Sequence, residues 1–165
     1  MKTILITLSV LTLAIIALFF VLGMMSKSGK APGLVDGRLS QCPDRPNCVC
    51  SEPGNDAGHT IAPIRIPDDS ALDPLPVLKQ LILEMGGTVQ AESGSYLAAT
   101  FSSAIFGFVD DLEIRVDVPQ RVIHVRSASR VGHSDMGVNR QRSDLLKKLY
   151  INKVSDANLS AAVPR

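Results

Sequence analysis

From Thr3 to Met25 the chain carries no charged residue, and Ile, Leu, Val, Ala and Phe dominate. A helix of roughly 20 such residues crosses a hydrocarbon core of about 30 Å, so this run constrains the protein more than any other stretch. Two other readings compete with a membrane span. A cleaved signal peptide has an apolar stretch of about 7–15 residues and a small-x-small cleavage site. Here the run is longer, and Gly23-Met24-Met25-Ser26 makes a poor site. A buried core helix would carry a polar face, and this segment has none. Residues 1–26 are therefore expected to form an uncleaved anchor that engages the membrane through residues 3–25, with a signal segment as the alternative. No Cys follows the run closely, which argues against a lipoprotein anchor.

Two observations bear on sidedness, and they disagree. Lys2 precedes the run while Lys27, Lys30 and Arg38 lie after it, and the positive-inside rule would keep the C-terminal part in the cytoplasm. Cys42 and Cys48, in contrast, flank the short loop Pro43-Asp44-Arg45-Pro46-Asn47, which can close as a disulfide in an oxidising compartment. The cysteines are given more weight, and a single-pass protein with its domain on the periplasmic or extracytoplasmic side is expected. A zinc site of Cys42, Cys48, Cys50 and His59 is the competing reading. Structural zinc ligands usually come in pairs two to four residues apart, and these cysteines are separated by five residues and then by one. The disulfide with Cys50 left over is favoured, and no metal is expected.

A net charge of +1 speaks against a broad nucleic-acid-binding face. The absence of Trp and the 4% aromatic content speak against stacking platforms for sugars or single strands. Neither a nucleic-acid partner nor a cofactor is expected.

Residues 27–58 are rich in Pro, Gly, Asp and Ser and read as a linker and loop holding the cysteine cluster. An α+β domain is expected over 59–154, with a frayed tail over 155–165. Thr60 to Ile66 reads as an edge strand limited by Pro63. A helix starts at Asp73, with Leu75, Leu78, Leu81, Ile82 and Met85 on one face, and Gly86-Gly87 ends it. Strands come next at Thr88–Glu92 and Tyr96–Phe101, joined by the turn Ser93-Gly94-Ser95. A short apolar run covers Ile105–Val109, and two more strands cover Leu112–Val118 and Arg121–Ser127. A last helix spans roughly Asn139 to Lys153, with Arg142, Leu145, Leu146 and Leu149 on one face. A small antiparallel sheet of about four to five strands, with two helices on one face, would bury both apolar stripes.

The last hairpin fixes its own register. If Val118 faces Arg121, then Val116 faces Ile123 and Ile114 faces Val125, so every core-facing residue meets another. The opposite face then pairs Glu113 with Arg126 and Arg115 with His124, and brings Asp110 and Asp111 beside Ser129 and Arg130.

The stretch from Ser127 to Arg142 is the candidate functional segment. Its glycines permit tight turns, Arg126, Arg130, Arg140 and Arg142 offer planar bidentate donors, and it feeds a helix N-terminus that favours an anion. Candidate ligand-binding residues are Arg126, Ser129, Arg130, Ser134, Asp135, Asn139 and Arg140, with Asp110 and Asp111.

Three stretches carry a resemblance: Gly33 to Leu39 with Cys42-Pro43 and Pro46-Asn47-Cys48; Phe108 to Glu113; and Arg126 to Arg140. Together they resemble the bacterial and plastid family of domain of unknown function 1499. The resemblance covers nearly everything after the anchor and implies a domain of that extent in an envelope or lumen, with no activity attached. Cys50 stands where the family pattern more usually has Ser.

The carboxylates of Asp110, Asp111, Glu113 and Asp135 suffice to pair Arg126, Arg130 and Arg140 internally, so a structural network is the default reading. The expectation is a membrane-anchored envelope protein acting as a non-enzymatic binding or structural module, with an anionic small molecule, a lipid headgroup or an envelope protein as partner. The alternative is a hydrolase using the Asp110/Asp111 and Ser134/Asp135 region. His133, Ser134 and Asp135 contain the residue types of a triad, but adjacency in sequence is no evidence for one, and the Gly-x-Ser-x-Gly elbow is absent. No catalytic residue is assigned.

Overall fold

A computed structural model describes residues 1–70 and 72–162. In chain order the elements are α1 (Lys2–Lys27), β1 (Leu34–Val35), β2 (Arg38–Leu39), β3 (Cys48–Cys50), β4 (Ile64–Arg65) and α2 (Pro74–Glu84). They continue with β5 (Thr88–Ser93), β6 (Tyr96–Ser102), β7 (Val109–Asp117), β8 (Val122–Ser129) and α3 (Val138–Ala162). Among the described residues the main sheet has six strands in the order β3-β8-β7-β6-β5, with β4 also paired to β8. Its strand pairs are all antiparallel. The short strands β3 and β4 thus share one edge of β8 and bring the count above the four to five expected.

Local chemistry explains the better-defined elements. Asp73 caps α2 by accepting from the Leu75 N–H, and Pro74 opens the first turn where its missing N–H costs nothing. Gly86, at φ +85°, ends the helix in a left-handed turn, and the Gly87 N–H returns to the Ile82 carbonyl at 2.8 Å. Across the β7–β8 hairpin the observed partners include Val116–Ile123, Ile114–Val125, Arg115–His124, Glu113–Arg126 and Asp110–Ser129. The register read from the apolar alternation is the register of the fold.

Both domain helices pack on one face of the sheet. Leu78, Leu81 and Ile82 of α2 and Leu146, Tyr150 and Val154 of α3 meet Leu97, Ala99, Leu112, Ile114, Val116, Ile123 and Val125 in a single core. On α3 the buried stripe is Ser143, Leu146, Tyr150 and Val154. Leu149 lies partly buried against the core, whereas Leu145, expected on that face, is largely exposed. The helix also runs on to Ala162, so most of the tail expected to fray is helical. Residues 163–165 lie outside the described residues.

Three further expectations are corrected. The edge strand at Thr60–Ile66 shrinks to Ile64–Arg65, while Thr60 makes an isolated parallel bridge to Cys50. The run Ile105–Val109 is not a strand: only Val109 joins β7, and the residues before it form a turn whose Ile105 is 74% exposed. Residues 27–58 are not a free tether. Cys48–Cys50 is a fully buried sheet strand, and the chain before and after it covers the second face of the sheet. The reason is the polar content of that face. Glu113, Arg126 and His124 are all buried, and buried polar groups need partners that only a covering chain can supply.

Helix α1 also packs on the domain. The Phe106 ring lies 5.2 Å from the rings of both Phe19 and Phe20. Gly23 sits so close to the Phe106 carbonyl that a Cβ there would stand 1.9 Å from its oxygen. Ser26 is buried, and its Oγ accepts from the Val109 N–H at 3.0 Å.

Candidate functional site

Strand alternation divides the candidate residues between two faces. Asp110 and Asp111 are neighbours in β7, so their side chains leave the sheet on opposite sides. Asp110 lies on the helix side, where Arg142 Nη2 of α3 donates to its Oδ2 at 2.8 Å. The Arg142 guanidinium also stacks over Phe101 at 4.5 Å and donates to Asn139 Oδ1 and Ser127 Oγ at 2.6 and 3.1 Å. Asn139 is buried and donates to Ser129 Oγ and to the Asn47 carbonyl, each at 3.0 Å. Asn47 donates in turn to the Gly132 carbonyl at 2.9 Å. The disulfide loop thereby closes over the loop that precedes α3.

On the other face, Arg130 donates to both oxygens of Asp111, at 2.7 and 2.9 Å. The same guanidinium reaches the Ser26 and Lys27 carbonyls at 3.2 and 3.4 Å. These are C-terminal carbonyls of α1, where a cation is favoured by the free acceptors and the helix dipole. Further along the sheet Glu113, with no exposure, accepts from Arg126 at 2.8 Å, from the Tyr96 hydroxyl at 2.8 Å and from the Gly33 N–H at 2.9 Å. Burial, with Glu113 alongside, pushes the Tyr96 phenol well above its ordinary value. Arg115 and His124 face each other as expected, but both turn to Glu52: Arg115 Nε donates at 2.7 Å and His124 Nδ1 lies 3.6 Å away.

The start of α3 is filled from within. Asp135 accepts from the Gly137 and Asn139 N–H groups at 3.0 and 2.7 Å, and its own carbonyl accepts from the Val138 N–H. These are the donors that an external anion would use at a helix start. Ser134 Oγ accepts from the Met136 N–H. Arg140 donates to the Gly58 and Thr60 carbonyls. A cavity of about 310 Å³ lies where this loop meets α1, lined by Phe19, Leu22, Phe108, Ser129, Ser134 and Val138 among others. A second, of about 270 Å³, is lined by Lys27, Lys30 and Arg130 with Asp111 as its one carboxylate.

The hydrolase constellation is not assembled. Asp110 and Asp111 are divided by the sheet, and His133 and Ser134 are exposed on the loop. A Ser–His contact does occur elsewhere, between Ser51 Oγ and His124 Nδ1 at 3.3 Å. Glu52 approaches the same ring nitrogen, whereas a triad needs serine and acid on opposite nitrogens. Among the described residues no group of three His, Cys, Asp or Glu side chains is placed to hold a metal ion.

Cys42 and Cys48 form a disulfide with Cα atoms 5.6 Å apart. Cys50 is free and has no exposure, and burial pushes its thiol up. The partners that sequence reasoning missed are Asn47, Glu52, Arg142 as part of the site, and Ser26. Asn47 lies within the Cys42–Cys48 loop, and Arg142 belongs to the candidate segment, so both carried a signal. Glu52 and Ser26 gave none, because their roles depend on where distant chain segments come to rest.

The model of a family described as a protein of unknown function, DUF1499, matches residues 38–149. No curated protein and no solved structure matches the chain. The matched span runs from β2 to within α3 and takes in the disulfide, the sheet and both faces of the arginine network. The chain belongs to the DUF1499 family of proteins of unknown function.

Proposed function

We propose that this chain is a non-enzymatic module of the cell envelope, anchored by α1, whose Arg/Asp/Ser cluster holds the domain against the end of its own membrane helix. The observation that carries this reading is Arg130. It is gripped by both oxygens of Asp111 while it donates to the last carbonyls of α1. A leader destined for removal has no reason to bury Ser26 or to bond the Val109 amide, so these contacts favour a retained anchor over a signal sequence. The Cys42–Cys48 disulfide favours a domain outside the cytoplasm, where such bonds persist.

A second reading keeps an anionic ligand and is favoured by the cleft beside the anchor exit, where Lys27, Lys30 and Arg130 outnumber Asp111. A thermal-shift screen of the full chain in detergent, against phosphates, organic acids and divalent metals, separates the two. A ligand at about a hundred times its dissociation constant should stabilise the fold by roughly 2.7 kcal/mol. A shift that vanishes in Lys27→Ala/Lys30→Ala, with the fold intact, establishes the anion site. No shift from any compound, with Arg130→Ala strongly destabilised, establishes the structural role.

A further inference from the structure

The loop between β6 and β7 is unusual in composition, in exposure and in its neighbours. Ser103-Ala104-Ile105-Phe106-Gly107-Phe108 contains no charge, yet Ile105 at its tip is 74% exposed. An isolated exposed apolar residue needs no explanation. This one belongs to a loop whose two aromatic rings pack on the apolar part of α1. Phe106 lies 5.2 Å from Phe19 and from Phe20, and Phe108 lies 6.3 Å from Phe19.

Depth follows from helix geometry. Phe19 precedes Met25, the last apolar residue before Lys27, by six positions, which at the α-helical rise is about 9 Å. The loop therefore reaches well below the level at which α1 leaves the hydrocarbon. Moving the membrane boundary down to avoid this would leave Thr3–Leu18 as the span, 16 residues, short of the roughly 20 that a bilayer core requires. The contact with Phe19 and Phe20 and a full-length span are compatible only if the loop shares the leaflet with α1.

Backbone hydrogen bonding satisfies the ends of the loop but not the N–H groups of Ala104, Ile105 and Phe106 at its tip, which have no partner among the described residues. Irregular chain in lipid is penalised by its free N–H and C=O groups. Here the Ser103 N–H donates to the Phe108 carbonyl at 2.8 Å and the Gly107 N–H to the Ser103 carbonyl at 3.1 Å. The Phe108 N–H donates to Ser103 Oγ at 3.0 Å. The Phe106 carbonyl is covered by the face of α1 at Gly23. Nearby, the loop before α3 lines the same cavity as Phe19 and Leu22 and carries Met136, 93% exposed.

We infer that the loop 103–108 is a lipid-inserted foot: the domain sits on the bilayer with Ile105 and Phe106 in the acyl-chain region beside the anchor, and its occupant is the membrane itself. This rests on the reading of α1 as a retained membrane span. It gives the domain one fixed orientation, with the β7–β8 turn at the far end of the strands from the lipid.

The chain has no Trp, so single replacements report their surroundings without background. Full-length Ile105→Trp, Phe20→Trp and Gln120→Trp variants would be reconstituted in phosphatidylcholine vesicles containing lipids brominated along their acyl chains. Ile105 and Gln120 are exposed, so neither replacement disturbs the core. Phe20→Trp and Ile105→Trp are both expected to lose most of their emission, and Gln120→Trp to keep it. If Phe20→Trp is quenched while Ile105→Trp emits like Gln120→Trp, the anchor stands and the foot is wrong. If Phe20→Trp itself escapes quenching, the membrane span fails and the inference falls with it.

Discussion

Glu113 and Arg126 show how single residues tie the second sheet face together. Glu113 is fully buried and accepts three hydrogen bonds, one of them from Arg126. Removing one partner of a buried ion pair leaves the other uncompensated, at a cost of about 3–5 kcal/mol. Arg126→Met is therefore expected to lose that much stability in denaturant unfolding, and replacing Glu113 as well should not restore it, because the Tyr96 hydroxyl and the Gly33 N–H then lose their acceptor. His59 provides a pH-dependent contact. Its Nε2 lies 2.9 Å from the Arg45 carbonyl and its Nδ1 lies 2.6 Å from Asp56. The carbonyl first, and then the carboxylate, raise its pKa above the ordinary 6.5. A raised value in the fold means that the stabilisation is complete below 6.5 and is lost as pH climbs through the folded value. The melting temperature of the wild type should accordingly fall toward that of His59→Gln as pH rises from 6.5. Parallel curves for the two would refute it.

Among the elements, the join between α1 and the β6–β7 loop is the most sensitive to substitution. It depends on Gly23, where any side chain meets the Phe106 carbonyl, a backbone atom that cannot rotate away. Gly23→Leu is expected to separate the helix from the loop and to release the Val109 N–H from Ser26 Oγ. One lost hydrogen bond of about 1 kcal/mol corresponds to roughly fivefold faster exchange at that amide. Amides in the middle of β7 should exchange as before, because the strand keeps both neighbours. Unchanged exchange at Val109 would mean that α1 and the loop are not joined in solution.

For the whole molecule, α1 packs as a structural part of the domain. It supplies two carbonyl acceptors for Arg130, beside those of Asp111, and an acceptor for the Val109 amide. The mature protein recovered from membranes is therefore expected to contain residues 1–27 by intact mass and N-terminal peptide analysis. A mature chain that begins after Ser26 would overturn both the retained anchor and the Arg130 reading. The segment 27–58 has a comparable role. It contributes β3, the disulfide loop and Glu52, and without it the buried charges of β7 and β8 would face water.

Periodicity in the sequence sufficed for the long apolar helix α1, for α2 with its cap and its Gly86-Gly87 stop, and for the β7–β8 register with the Glu113–Arg126 pair. Each of these is a local property: a run, a spacing of three and four, or an alternation of two about a short turn. Asp110 and Asp111 look like one site when read in line, and the pleat of β7 sends them to opposite faces and different arginines. Glu52 between Arg115 and His124, Asn47 over the loop before α3, and Ser26 under Val109 come from segments far away in the chain. Their positions depend on how a polar sheet face finds partners once it is buried, a long-range requirement that no local pattern encodes and that only the tertiary structure resolves.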